Sequence, residues 1–185
     1  SPLWNRMTRP MHEMTLLYIA ITIAAALLYL AAGDTVFSAL LLALYTIASG
    51  AGPMAGDLPP TPSLMLAGGL SALLSALPLL TIRQLLHRRG EVDVLRHTEL
   101  QAFCLLFLSA GLVLTIPALL CSTSSPIDAI AHGFFYAISF LSTNGLLLAG
   151  AIPDHGGAVL LLTLLAIIGG CMGSAAGGFR ISRLL

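Results

Sequence analysis

The sequence predicts an all-α, polytopic membrane protein built from two repeats of a span, a short re-entrant helix and a second span. The 185 residues are 57% hydrophobic and only 9% charged, which excludes an ordinary soluble domain. Several apolar runs are long enough to cross a bilayer, whereas two others are too short to do so. A polar, glycine-containing turn follows each of the short runs, so the same order of elements occurs twice.

The distribution of charge predicts how the chain is oriented in the membrane. All eight cationic side chains are arginines, in clusters at residues 6–9, 83–96 and 180–183. The connecting segments between the clusters carry four aspartates instead: Asp34, Asp57, Asp128 and Asp154. The positive-inside rule therefore predicts that both chain ends and the central cluster are cytoplasmic. The net charge of zero gives no reason to expect a nucleic-acid partner.

Residues 1–90 are predicted to form the first repeat. The charge-free run 14–32 would be about 28 Å long as a helix, which is enough to span. The next apolar run, 35–47, would measure only about 20 Å and is predicted to be a re-entrant helix. After a glycine- and proline-rich segment, a second span at 63–86, kinked near Pro78, returns the chain to the arginine cluster.

Residues 91–185 are predicted to form the second repeat with the same order of elements. A span at 100–121 is followed by a short helix at 126–141, which begins with Pro126 and has an aspartate in its first turn. A proline at the first helical position loses no hydrogen bond there, and an acidic residue is favourable near the positive end of the helix dipole. The second span, 156–184, passes through an unusual glycine-rich stretch.

The turns after the two short helices are the candidate chemical sites. A helix that ends at membrane depth directs its partly negative carbonyl end inward, and the following turn can offer backbone carbonyls in place of an ion's hydration shell. The candidate cation ligands are the backbone groups of Ala48, Ser49, Gly50, Ala51, Ser142, Thr143, Asn144 and Gly145. The alternative is a pair of ordinary extracellular loops, because serine, asparagine and glycine make most turns.

The glycine-rich stretch at 169–180 allows two interpretations. Gly169, Gly173 and Gly177 lie on one helical face, which is typical of two membrane helices in close contact. Each glycine also costs about 1 kcal/mol of helix propensity relative to alanine, which favours a break in the helix. Such a break at membrane depth is tolerated where it lines a cavity or is buried in protein.

The stretch Gly-Gly-Cys-Met-Gly-Ser-Ala-Ala-Gly-Gly-Phe-Arg resembles a signature of the Trk-type potassium transporter family, the TrkH/TrkG/KtrB superfamily. The turn at 142–146 is similar to the Thr-Thr-Gly-Phe filter of that family, with Leu146 where phenylalanine is usual. The turn at 46–52 is similar to Thr-Ile-Ala-x-Gly-Gly-Phe, with Ala51 in place of the filter glycine. The family has four such repeats, and the two present here resemble the second and third.

The resemblance implies potassium transport across the cell (inner) membrane, through a selectivity filter of backbone carbonyls formed by the two turns. The short helices would be pore helices, as in potassium channels, and the glycine-rich stretch would be an intramembrane gate. Its gate residues would be Gly169, Gly170, Gly173, Ser174, Gly177, Gly178 and Arg180. Potassium would be the transported ion, no cofactor is expected, and the partners would be the lipid bilayer and the remaining pore repeats. The resemblance also implies a homodimer and a cytoplasmic nucleotide-binding regulatory subunit.

Two other functions remain compatible with the residues. The chain could be a two-repeat cation channel subunit that acts as a dimer, although it lacks a Thr-Val-Gly-Tyr-Gly run. It could also be a non-conducting membrane scaffold or remnant whose glycines only pack helices, an alternative that the alanine at position 51 keeps open. An enzyme is not expected, because no paired catalytic groups are apparent.

Overall fold

The computed structural model describes residues 2–50, 61–77, 98–121, 126–148, 156–171, 174 and 176–179. In these residues the regular structure consists of the following helices: α1 Pro2–Ala31, α2 Val36–Ile47, α3 Pro62–Ala76, α4 Thr98–Cys121, α5 Pro126–Leu141 and α6 Gly156–Ile168. The predicted all-α class is therefore confirmed. The far end of the predicted span at 63–86, including Pro78, lies outside the described residues.

Helix α1 begins much earlier than the apolar run on which its prediction was based. Its 30 residues start at Pro2, so the predicted lead-in of residues 1–13 is helical from its second residue onward. Charged residues mark where an apolar run begins, but they do not prevent backbone hydrogen bonding. At the other end, Gly33 adopts a left-handed φ of 97° and its N–H donates to the Leu30 carbonyl at 3.0 Å. This glycine stop ends the helix where the sequence predicted it to end.

The two short helices, α2 and α5, hold corresponding places in the two halves. Each follows a longer helix, and each packs against that helix: α2 against α1, and α5 against α4. They contain 12 and 16 residues, which correspond to about 18 and 24 Å. Helix α3 contacts α1 and α2 in its own half and α5 in the other half. The α3–α5 contact therefore joins the two halves among the described residues.

The start of α2 is fixed by side chains that bond to free backbone donors. Thr35 is the N-cap, and its hydroxyl accepts a hydrogen bond from the Ser38 N–H at 3.4 Å. Asp34 accepts from the Ser38 hydroxyl at 2.9 Å and from the Thr35 N–H at 2.8 Å. The bonds from the Ser38 and Thr35 N–H groups satisfy backbone donors that the start of a helix leaves without a partner, and the bond from the Ser38 hydroxyl holds Asp34 in place. They define the point at which the chain turns from α1 into the short helix.

Apolar stripes are exposed on the outer helices. On α1 the stripe consists of Leu16, Ile19, Ile23 and Leu27, and on α4 it consists of Leu105, Leu108, Leu112 and Ile116. The spacing of three or four residues places each stripe on one helical face. Large apolar surfaces of this kind mark contact with lipid or with further protein. Met11–Ala31 is long and apolar enough to cross a membrane, whereas the other apolar helical stretches among the described side chains are shorter.

The predicted span at 156–184 contains a break in its helix, as the second interpretation of its glycine-rich stretch requires. Helix α6 ends at Ile168, and the described residues between 169 and 179 are not helical. Glycine is the physical reason, because it lowers helix propensity and gives the backbone access to left-handed conformations. Of the interpretations left open by the sequence, the helix break is therefore the one observed. Residues 180–184 lie outside the described part of the chain.

Candidate functional site

The turn after α2 is a helix stop with a left-handed residue that is not glycine. Ser49 has a φ of 53°, and its N–H donates to the Thr46 carbonyl at 3.4 Å. The N–H of Gly50 reaches back five residues to the Tyr45 carbonyl at 3.0 Å. These two bonds form a Schellman motif, which satisfies the last carbonyl groups of the helix.

The turn after α5 repeats this pattern. Thr143 has a φ of 58°, and its N–H donates to the Phe140 carbonyl at 3.0 Å. The N–H of Asn144 reaches back five residues to the Ser139 carbonyl, also at 3.0 Å. A β-branched residue is uncommon in the left-handed region, and such strain persists only where the surrounding structure fixes it. The two turns thus share a left-handed helix stop that glycine usually occupies, with serine in one turn and threonine in the other.

The shared hydrogen bonds align the two turns residue by residue. Ser49 corresponds to Thr143, so residues 48–51 correspond to 142–145. This register pairs Ala51, which lies outside the described residues, with Gly145, which has a φ of 62°. It also makes α5 one helical turn longer than α2 at its N-terminal end.

Ser139 fastens the second turn to the last turn of α5. Its carbonyl accepts hydrogen bonds from the Asn144 N–H at 3.0 Å, the Gly145 N–H at 3.3 Å and the Ser142 hydroxyl at 3.1 Å. Its own hydroxyl donates to the Leu146 carbonyl at 2.8 Å. Ser139 is fully buried, so water does not compete for these bonds. Ser139 was not among the predicted site residues. The local signal that could have found it is a serine three residues before the first residue of the turn.

Asn144 anchors the second turn to the other half of the chain. Its side chain is only 1% exposed, and its Nδ2 donates to Ser75 Oγ on α3 at 3.2 Å. Ser75 Oγ in turn donates to the Ala72 carbonyl at 2.8 Å. The Oδ1 atom of Asn144 is buried and has no hydrogen-bond partner among the described residues. No local sequence signal predicts this contact, because 69 positions separate its partners.

A buried hydroxyl pair anchors the first short helix to α1. The Tyr29 hydroxyl lies 2.9 Å from Thr46 Oγ1, and both residues are almost completely buried. Thr46 donates its own proton to the Leu42 carbonyl, so the Tyr29 phenol is the donor in the pair. Thr46 is one helical position before the end of α2, and this bond therefore positions the first turn. From its sequence position alone, Tyr29 would be an anchor at the membrane interface with no role in the site.

The glycine-rich stretch folds back on itself after α6. Gly169 has a φ of 72° and Gly178 a φ of 92°, and the N–H of Phe179 donates to the Ile167 carbonyl at 2.8 Å. A methyl group added to Gly178 would lie 2.8 Å from the Gly169 Cα. A methyl group added to Gly169 would overlap the Gly177 carbonyl oxygen. The two ends of the stretch are therefore held backbone against backbone.

This folded stretch lies between the second turn and the end of α3. The N–H of Gly177 donates to Thr143 Oγ1 at 2.7 Å. On the other side, a methyl group added to Gly170 would lie 3.4 Å from the Ala76 carbonyl oxygen. The stretch thus contacts one of the candidate filter turns directly.

The described residues include most of the predicted site. Of the filter candidates only Ala51 lies outside them, and of the gate candidates only Gly173 and Arg180 do. Within the described residues no group of three or more His, Cys, Asp or Glu side chains comes together. The side chains of both turns are uncharged. The ligands that the turns can offer a cation are therefore neutral oxygens, supported by the negative ends of the helix dipoles.

Two short helices that end in matching turns, beside a broken helix, define an all-α polytopic membrane protein of the pore-helix type. No family model matches the chain. It is 27% identical over its full length to the Trk system potassium uptake protein TrkH of Halomonas elongata. It is also 28% identical, over 90% of its length, to the Trk system potassium uptake protein TrkI of the same organism.

A solved structure gives the same result. The crystal structure of the potassium transporter TrkH from Vibrio parahaemolyticus matches 97% of this chain with a TM-score of 0.85 and 26% identity. The chain is therefore homologous to the Trk-type potassium transporters, and the resemblance seen in the glycine-rich stretch is confirmed. These relatives are transporters rather than enzymes. The chain spans 39% and 34% of the two Halomonas proteins and 40% of the Vibrio chain.

Proposed function

We propose that this chain forms two of the pore repeats of a Trk-type potassium uptake protein and that it carries potassium across the membrane. The main support for this proposal is the matched pair of turns, in which Ser49 and Thr143 have the same left-handed conformation and the same hydrogen-bond pattern. Left-handed helix stops are common, but glycine usually occupies them, so a non-glycine residue at the same position of both turns favours one shared role. A filter supplies such a role, because its repeats must present equivalent carbonyl groups to one ion.

In this proposal the backbone carbonyls of the two turns replace part of the hydration shell of potassium. The filter residues are Ala48, Ser49, Gly50, Ala51, Ser142, Thr143, Asn144 and Gly145. The short helices α2 and α5 end at these turns and direct their partly negative carbonyl ends toward the ion. Ser139 and the Tyr29–Thr46 pair hold the turns in place, so that the carbonyl groups need little reorganisation when the ion binds. Potassium is the cargo, and no cofactor takes part.

The glycine-rich stretch is the proposed gate of this pathway. Its residues are Gly169, Gly170, Gly173, Ser174, Gly177, Gly178 and Arg180. The end of α6 at Ile168 and the contact between Gly177 and Thr143 support this role. A non-helical segment at this depth has fewer backbone bonds to break than a helix, so it can move without unfolding a span.

The remaining repeats and partners complete the proposed assembly. We place the boundary between the two repeats near residue 90. The protein would lie in the inner membrane, and its arginine clusters and both chain ends would lie on the cytoplasmic side. Two further repeats are needed to surround the ion, and the relatives are indeed more than twice as long as this chain. The whole protein is expected to be a homodimer with a cytoplasmic nucleotide-binding regulatory subunit.

The test is potassium flux into liposomes, measured with the complete protein and with the 185-residue chain alone. The complete protein should take up potassium in preference to sodium. The chain alone should not conduct as a monomer, because two turns cannot surround an ion. Selective flux from the crosslinked dimer of the short chain would favour a two-repeat channel instead. Absence of flux from the complete protein would favour the scaffold.

A further inference from the structure

We propose that the hydroxyl group of Thr143 is a latch that holds the glycine-rich stretch closed beneath the second filter turn. This inference rests on the proposed function, since it assigns one residue of the filter turn to gating. Thr143 would then be a positioning residue for the gate, in addition to offering a backbone carbonyl to the ion.

The first support is the contact between the two elements. The N–H of Gly177 donates to Thr143 Oγ1 at 2.7 Å, which joins residues 34 positions apart. Gly177 is exposed, so water can replace Thr143 as the acceptor when the stretch moves away. A hydrogen bond of ordinary net strength would shift the ratio of closed to open states by about 2- to 13-fold. This magnitude suits a contact that must break and form repeatedly.

The second support is the difference between this contact and those at the base of the stretch. At the base, Phe179 donates to the Ile167 carbonyl at 2.8 Å, and Gly169 lies against Gly178. These are backbone contacts that persist when a side chain changes. The Gly177–Thr143 bond instead depends on one hydroxyl group, so it can be removed or restored by substitution. Movement about a fixed base is the geometry of a hinged loop.

The third support is the conformation of Thr143 itself. Its φ of 58° is held by the helix-stop bonds from its own N–H to Phe140 and from the Asn144 N–H to Ser139. A β-branched side chain has few rotamers, so the hydroxyl is directed before the bond forms. The backbone of the same residue belongs to the proposed filter. A movement of the stretch is therefore linked to the filter through a single residue.

The experiment compares three substitutions in the complete protein, reconstituted in lipid bilayers. Thr143→Val removes the acceptor but keeps the β-branched shape, and Thr143→Ser keeps the acceptor. Thr163→Val is the matched control, because it removes an exposed hydroxyl that bonds only within α6, to the Val159 carbonyl at 2.8 Å. We expect the open probability of Thr143→Val to exceed that of Thr143→Ser about 2- to 13-fold, while Thr163→Val stays near wild type. An unchanged open probability with altered unitary current or selectivity would assign Thr143 to the filter alone and overturn the latch.

A crosslink tests the same contact without depending on the valine variant. A methyl group added to Gly177 would lie 4.0 Å from the Thr143 Cβ, a distance suitable for a disulfide. Under oxidation the pair Thr143→Cys with Gly177→Cys should lose most of its potassium flux, and a reductant should restore it. Each single cysteine variant, which retains the native Cys171, serves as the control. If the disulfide forms without loss of flux, or does not form at all, the latch is wrong. If the wild-type protein carries no potassium, the proposed function fails instead.

Discussion

Gly178 lies so close to Gly169 that neither position has room for a side chain. Both residues have left-handed φ values, and a methyl group on Gly178 would lie 2.8 Å from the Gly169 Cα. Gly177, the neighbouring residue, has no left-handed φ, and a methyl group there would lie 3.4 Å from Thr143 Oγ1. The glycines of this stretch therefore differ in how strictly the fold requires them.

We predict that Gly178→Ala destabilises the protein and that Gly177→Ala does not. The left-handed backbone alone should cost Gly178→Ala about 1–2 kcal/mol, and the close contact with Gly169 adds to that cost. Thermal denaturation of the complete protein in detergent should show a lower midpoint for Gly178→Ala alone. Equal midpoints for the two variants would contradict this assignment of the glycines.

The second prediction concerns Ala51, which corresponds to Gly145 in the alignment of the two turns. Gly145 has a φ of 62°, a conformation that costs alanine roughly 1 kcal/mol or more. Ala51→Gly should therefore raise potassium uptake or potassium selectivity in the complete protein. The reverse substitution, Gly145→Ala, should lower both. Initial rates of uptake at several potassium and sodium concentrations would measure the two effects, and a rise after Gly145→Ala would refute the alignment.

The third prediction concerns the buried pair of Tyr29 and Thr46. Their hydroxyl groups lie 2.9 Å apart between α1 and α2. In a double-mutant cycle of Tyr29→Phe and Thr46→Val, the coupling energy should be about 1 kcal/mol in favour of the native pair. Thr22→Val removes a hydroxyl that bonds only within α1, to the Tyr18 carbonyl, and should have a smaller effect. Additive effects of the two substitutions would show that the pair does not stabilise the fold.

A fourth prediction follows from the link between Asn144 and Ser75. Ser75→Ala removes the described acceptor of a buried amide group, which should cost about 1–3 kcal/mol of stability. Adding Asn144→Leu to Ser75→Ala should recover part of that loss, because both polar partners are then absent. The comparison needs only denaturation midpoints of the two variants in detergent. A further loss in the double variant would mean that Asn144 has a second, stronger interaction.

The fifth prediction is the topology. Single cysteines introduced near Asp57 and near Asp154 should react with an impermeant reagent added outside the cell. Cysteines introduced near Arg89 should be spared, because arginine clusters remain on the cytoplasmic side. The reverse labelling pattern would invert the orientation. These three positions lie outside the described residues, and labelling would show on which side of the membrane each of them lies.

Local signals in the sequence predict the short helices well. Helix α5 has the bounds predicted for it, 126–141, and α2 begins one residue after its predicted start at 35. Proline at the first position of α5, a capping threonine before α2 and the turn residues after both helices are all local features. The end of α6 at Ile168 follows from the glycines in the same way.

The contacts that hold the site together could not be predicted from the sequence. Thr143 and Gly177 are 34 positions apart, and Asn144 and Ser75 are 69 positions apart. Each pairing depends on how helices pack, and a serine or glycine alone gives no indication of its distant partner. The start of α1 was also missed, because the arginines and the proline of residues 1–13 were taken as a non-helical lead-in before the first span. Hydropathy reports where a chain meets lipid, whereas helix bounds depend on backbone hydrogen bonds.

The bond between Asn144 and Ser75 has a consequence for how such proteins can evolve and be engineered. It connects a turn in one half to a helix in the other, so neither half contains all the groups that hold the second turn in place. An exchange of one half with a related protein would separate the two partners. Hybrid proteins made by exchanging one half should retain their fold when the residues at positions 75 and 144 are taken from the same parent protein. The two halves are thus not independent units, although the turns after α2 and α5 have the same backbone hydrogen bonds.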